Sequence, residues 1–209
     1  MDIGKLTAPE KYFEIKHEAG VAILRILSSD GTNKLGIARI TALQNAVKGL
    51  AEEAESGRIK GLVITGNDKF FSVGADLNEI SQLSGAQAFE FSRQGQALML
   101  AIDHLPLPVI AAIRGYCMGG GMDLALACDS RIVGPNAVFG HRGASLGMMT
   151  GWGGTQRLPR LIGKPLALQM FLLAEMVNAE KGLKMGLADE IANDPVRASL
   201  TKLAERHSY

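Results

Sequence analysis

Two short stretches of the 209-residue chain place glycine where an apolar run stops and helix-forming residues begin. One is Val73-Gly74-Ala75-Asp76 and the other is Met118-Gly119-Gly120-Gly121, which runs on into Met122-Asp123-Leu124. Glycine lacks a Cβ, so a ligand can press directly against backbone N–H groups there. The first N–H groups of a helix have no partner inside it and carry the positive end of its dipole. Each junction can therefore receive a phosphate, a carboxylate, or an oxygen that becomes negative during a reaction. If the two junctions converge, one backbone N–H from each forms an oxyanion hole. A tight left-handed turn without a ligand has the same sequence signature, so other residues must decide.

Asp123 falls in the first turn of the helix after the glycines. It is either a cap that favours the helix dipole or an acid–base group, which would need burial to raise its pKa. His141 has an unperturbed pKa near 6.5, suited to proton transfer. If residues 139–143 are extended, 139, 141 and 143 point to one side, and His141 lies on the face of Gly143. The alternative is a histidine bonded to backbone or facing a subunit contact. Trp152, the only tryptophan, is either a pocket wall or an ordinary core residue. Gly143-Ala-Ser-Leu-Gly147 also fits a G-x-S-x-G nucleophile elbow, with Asp189 or Asp194 and then His207 following in hydrolase order. That elbow requires a helix directly after the serine, whereas Gly147-Met-Met-Thr-Gly151 follows, and no HGGG-type loop lies upstream.

The elements that must position these residues alternate. Residues 12–17 and 21–27 read as a β-hairpin, 28–34 as a loop, and 37–55 as an amphipathic helix ending before Gly57. A buried strand over 60–66 precedes the first junction, and a long helix over 84–105 is stopped by Pro106 and Pro108. The apolar run 108–114 leads into the second junction, whose helix begins at Met122. Short strands are expected over 130–133 and 137–141, helices over 152–163, 164–174 and 179–184, and a brief strand near 188–191. A last helix starts at Asp194-Pro195, with proline at its first position. Strands alternating with helices give an α/β fold.

Composition narrows the functional classes. The chain is 47% hydrophobic and 21% charged, the balance of an ordinary globular domain. Its net charge of +1 argues against an extended basic face for nucleic acid. Two cysteines, Cys117 and Cys128, are too few for a disulfide framework, and the four histidines lack metal-ligand spacing. The longest apolar region is broken by Asp103, His104, Pro106 and Pro108, so no membrane span is expected. With no signal segment at the N-terminus, a cytoplasmic protein is expected. No Walker or Rossmann fingerprint points to ATP or NAD.

Phe71-Ser-Val-Gly-Ala-Asp-Leu-Asn-Glu79, Gly115-Tyr-Cys-Met-Gly-Gly-Gly-Met-Asp-Leu-Ala125, Cys128-Asp129 and Gly151-Trp-Gly-Gly-Thr-Gln-Arg-Leu-Pro159 together resemble the crotonase (enoyl-CoA hydratase/isomerase) superfamily in order and spacing. The resemblance runs from about residue 13 to 191. It implies a crotonase-like spiral of ββα units, with residues 1–191 as the core and 192–209 as a shortened C-terminal helical region of the same domain. It also implies an acyl-CoA substrate whose thioester oxygen sits between the N–H groups of Ala75 and Gly120. No cofactor is implied beyond the coenzyme A of the substrate. Gly74, Gly119 and Trp152 would line the acyl site, and the loop Asn33-Lys34-Leu35 together with Asp76 and Leu77 would meet the coenzyme A moiety. The resemblance further implies fatty acid metabolism and a homo-oligomer, a trimer or a dimer of trimers. Enoyl-CoA hydratases carry two catalytic glutamates. The first matches Asp123, one methylene shorter, and the second falls at Gly143, which can carry no proton. Hydration or isomerisation is the first expectation. Acyl-CoA hydrolysis, decarboxylation, or acyl-CoA binding with little catalysis are the alternatives.

Overall fold

The computed structural model describes residues 11–205. Alternating side chains make a hairpin of β1 (Phe13–Glu18) and β2 (Val21–Ile26), paired antiparallel. From there the chain winds through repeated turns: β3 (Gly61–Thr65) and β4 (Phe70–Ser72), then β5 (Val109–Ile113) and β6 (Tyr116–Met118), then β7 (Ser130–Val133) and β8 (Val138–Gly140). In each turn the first strand joins a six-stranded sheet, ordered β1-β2-β3-β5-β7-β10 with β10 at Glu190–Ile191. The second strand joins a four-stranded sheet, ordered β4-β6-β8-β9, in which β9 is Met176–Asn178. Strands of successive turns pair in parallel. This is the spiral of ββα units that the family resemblance implies.

The helices are α1 (Ile37–Glu55), α2 (Leu77–Ile80), α3 (Gly85–Asp103), α4 (Gly120–Leu126), α5 (Gly154–Ile162), α6 (Lys164–Leu172), α7 (Ala179–Met185) and α8 (Pro195–Glu205). Ser84 and Gln87 start α3 with a reciprocal capping box, which satisfies two of the otherwise orphaned N–H groups. Strands β3 and β5 are buried on both faces, which explains their continuous apolar runs. On one face Leu24, Leu62, Ile64, Ala111 and Ile113 join the main core. On the other, Val63, Ile110, Ala112 and Ile132 meet Leu203 of α8. Residues 195–205 are therefore a covering layer of the sheet. None of them lines the cavity described below.

Three expectations are corrected. The extended run does not continue to residue 143: β8 ends at Gly140 and Arg142–Leu146 forms a 3-10 turn. Met148 N donates to Gly143 O over 2.8 Å, which closes this loop on itself. The helix expected from Trp152 begins at Gly154, because Gly153 has φ +104° and stands outside the helical region. The helix expected from Met122 begins two residues earlier, at Gly120. Strand β9 has no counterpart in the sequence reading. It is three residues long and pairs with β8 across the small sheet, a partner that local pattern does not reveal.

Candidate active site

Both glycine junctions sit at ends of the small sheet, after β4 and after β6, which are neighbours. Gly74 has φ +86° and Gly119 has φ +51°, conformations that disfavour a side chain. Contact between the junctions is close: a Cβ on Gly74 would stand 2.6 Å from Gly120 N and 2.8 Å from Met118 O. Neighbouring groups hold this approach. Ser72 Oγ donates to Asn33 O and accepts from Gly74 N, while the Asn33 amide donates to Phe70 O and Phe71 O. Asn33 is buried at φ +55°, a strained backbone that asparagine tolerates better than most residues. Leu35 N donates to Gly74 O, Gly119 N donates to Gly140 O, and Met122 N and Asp123 N share Gly119 O. The N–H groups of Ala75 and Gly120 take no part in these bonds.

A cavity of about 720 Å³ opens over the junctions and is lined by Ala75, Gly119, Gly120, Asp123, His141, Gly143 and Trp152. Its remaining walls are largely apolar, among them Leu77, Ile80, Leu83, Phe91, Met148 and Met149. Trp152 is pinned between two glycines. A Cβ on Gly120 would stand 2.1 Å from its ring, and one on Gly95 would also stand 2.1 Å from it. Phe91 meets the indole edge-on at 5.3 Å. Trp152 is thus both a core residue and a cavity wall.

Asp123 is 1% exposed and does not cap its helix by a side-chain bond. One carboxylate oxygen, Oδ2, accepts from the Thr150 hydroxyl. The other, Oδ1, lies 3.5 Å from His141 Nε2. Neither Oδ1 nor Nε2 has a hydrogen-bond partner among the described residues. Burial pushes the Asp123 carboxyl up to about 7, while the Thr150 hydroxyl, the Arg157 guanidinium and the N–H groups of Trp152 and Gly154 pull the other way. Burial also lowers the His141 imidazole to about 4. The imidazole packs on Phe171 with ring centres 5.0 Å apart. His141 thus reaches Asp123 although the chain beyond it turns instead of staying extended.

Gly143 lines the same cavity, but a Cβ on it would stand 2.6 Å from Met148 O. The loop backbone fills the space that a side chain there would need. Ser145 of the G-x-S-x-G stretch is exposed on the 3-10 turn. Asp189 is engaged by buried Arg131 at 2.9 Å, and His207 lies outside the described residues. No nucleophile elbow is formed.

The coenzyme A candidates separate. Lys34 pairs with Asp30 at 3.0 Å, and this partner raises its pKa. Asp76 caps α2 by accepting from Asn78 N. Lys34 and Asp76 border a polar cleft of about 210 Å³ with Ser28, Asp30 and Arg39. Leu35 is fully buried and bridges to Ala75, so it supports the junction from behind. Leu77 faces the apolar cavity instead of the cleft. Thr150 and Ser72 escaped sequence reasoning, since a lone Thr or Ser carries no pattern. Asn33 was expected in the loop beside coenzyme A, whereas it is buried and holds the backbone of β4.

Among the described residues, no cluster of three His, Cys, Asp or Glu could hold a metal ion. No helix there is long and apolar enough to cross a membrane.

The fold and the paired junctions define a crotonase-type protein, and comparison with known proteins agrees. Residues 16–207 match the enoyl-CoA hydratase/isomerase family, and the chain is an enzyme of that family. A crotonyl-CoA hydratase from Syntrophomonas wolfei is 35% identical over 194 residues, covering 92% of this chain and 74% of the relative. Among solved structures, Pseudomonas aeruginosa DspI is similar with a TM-score of 0.89 and 32% identity, over 98% of this chain and 84% of that one. An enoyl-CoA hydratase from Bacillus anthracis aligns with a TM-score of 0.85 and 32% identity, over 94% of this chain and 75% of its own.

Proposed function

We propose that the protein binds a 2-enoyl-CoA with its thioester oxygen between the N–H groups of Ala75 and Gly120, and that it hydrates or isomerises the double bond. The observation that carries this reading is the approach of Gly74 to Gly120 N at the floor of an apolar cavity that also contains a buried carboxyl. Nucleophilic addition at C3 and proton removal next to the carbonyl both push charge onto the thioester oxygen, making it enolate-like. Two fixed donors aimed at that oxygen stabilise the charged state more than the ground state, and one such donor is worth about 3 kcal/mol. The apolar walls hold the acyl chain, exclude water and strengthen those hydrogen bonds. Asp123, buried and with its pKa raised to about 7, is tuned for proton transfer near neutrality. The nucleotide half of coenzyme A reaches toward the cleft beside Lys34, where a phosphate would compete with Asp30 for the ammonium group.

The closed space at Gly143 supports a second reading, that of an acyl-CoA-binding protein with little turnover. Incubation with crotonyl-CoA and longer 2-enoyl-CoAs separates the two. Loss of the conjugated thioester absorbance is expected; tight binding across the panel with no absorbance change would leave only the binding reading. Failure of any CoA thioester to bind would refute both.

A further inference from the structure

We infer that Asp123 and His141 act as one acid–base unit with a shared proton, His141 supplying the second proton-transfer group for which Gly143 has no side chain. For its substrate the inference rests on the enolate reading above. Two buried polar atoms, Asp123 Oδ1 and His141 Nε2, face each other at 3.5 Å without other hydrogen-bond partners. A buried polar atom left unpaired is costly, and a single hydrogen in the gap satisfies both. Space for this arrangement comes from Gly154, where a Cβ would stand 2.1 Å from Oδ1 and 3.1 Å from Nε2. The remaining carboxylate oxygen is held by Thr150, so the carboxyl cannot rotate away without losing that bond. Arg157 of α5 and Cys117 of β6 interact electrostatically with Asp123, and the N–H groups of Trp152 and Gly154 also act on its carboxyl. The buried thiol has its pKa pushed well up and does not line the cavity, whose titratable side chains are Asp123, His141, Tyr116 and Arg142.

Hydration then balances without a second carboxylate. Water oxygen bonds to C3 while the water proton passes to the His141 ring. The C2=C3 π bond breaks and its electrons move toward the thioester oxygen. The Asp123 carboxyl proton is delivered to C2, and the extra proton on Nε2 returns to Oδ1. The pair has taken one proton and given one, and it ends as it began.

Two measurements on the full chain test the pair. NMR titration of the His141 ring, without substrate, is expected to move by about one pH unit or more between wild type and Asp123→Asn, as coupled groups require. In enoyl-CoA turnover, Asp123→Asn and His141→Asn are each expected to lose roughly 10²-fold or more, and the double variant to fall little below the worse single one, as for residues that work as a unit. His141→Phe keeps the packing on Phe171 without a ring nitrogen, and it should be as inactive as His141→Asn. An unmoved His141 titration, or a His141→Phe enzyme near wild-type turnover, would overturn the inference. If wild type binds CoA thioesters but converts none, the enolate reading falls and the titration alone decides whether the pair exists.

Discussion

Replacing Asp123 by Asn should make the protein more stable above neutral pH while removing its activity. The folded-state pKa of about 7 lies above the ordinary value of 3.8 because burial penalises the charged carboxylate. Between these values the native state binds more protons than the unfolded state. The associated stability is therefore fully present below about pH 3.8 and lost as pH rises through about 7. A difference of three pH units at about 1.4 kcal/mol each corresponds to about 4 kcal/mol of strain from the ionised group at pH 8. Asparagine has the same shape and no charge. Its amide can donate to the unpartnered His141 Nε2, and its carbonyl can accept from Thr150. The expected gain at pH 8 is about 2–4 kcal/mol, which raises Tm by roughly 4–16 °C for a chain of this size. It should shrink by about 1.4 kcal/mol for each pH unit below 7 and fall to less than half near pH 5. Thermal melts and urea titrations of both proteins at pH 5, 6, 7 and 8 measure it. A variant less stable than wild type at pH 8, or a gain that does not vary with pH, would refute the assignment of a strained buried carboxyl.

Thr150→Val removes a donor to Asp123 Oδ2, and hydrogen bonds to charged groups are worth about 1.5–3 kcal/mol. The alkaline limb of the kcat/KM profile should move up by about 1–2 pH units, and Thr150→Ser should restore it. Gly143→Glu should not create a second catalytic carboxylate. Its Cβ would stand 2.6 Å from Met148 O, so the variant should lose about 1–3 kcal/mol in urea melts and show no gain in turnover. Ser145→Ala should leave turnover within about twofold of wild type, since this serine is exposed on the 3-10 turn and surface substitutions have small effects; a large loss would revive the serine-nucleophile reading. At the opposite end of the pH range His141, lowered to about 4 by burial, contributes stability present above about pH 6.5 and lost as pH falls toward 4. His141→Phe should accordingly flatten that acid-side loss in the same melts.

Much of the architecture was legible in the residues alone. Two glycine junctions, each preceded by an apolar strand and followed by helix formers, were visible as strand–turn–helix units, because backbone without Cβ and helix periodicity are local properties. The family motifs follow the same logic, since they consist mostly of those junctions. Local pattern could not show that Gly74 packs against Gly120 N, an approach produced by the pairing of β4 with β6. Nor could it show β9, a three-residue strand that exists through its partner β8. The turn at Arg142–Leu146 defeated the extended reading because its closing bond, from Met148 N to Gly143 O, joins residues five apart. The sequence by itself determined the alternation of strands and helices, the glycine junctions and the absence of a side chain at residue 143, and the family resemblance implied the spiral. Only the tertiary structure brought Asp123, His141 and Thr150 into one buried cluster, since they come from α4, the end of β8 and the loop before α5. Proton affinities depend on burial and on what faces each group across the fold, and neither quantity is carried by neighbours along the chain.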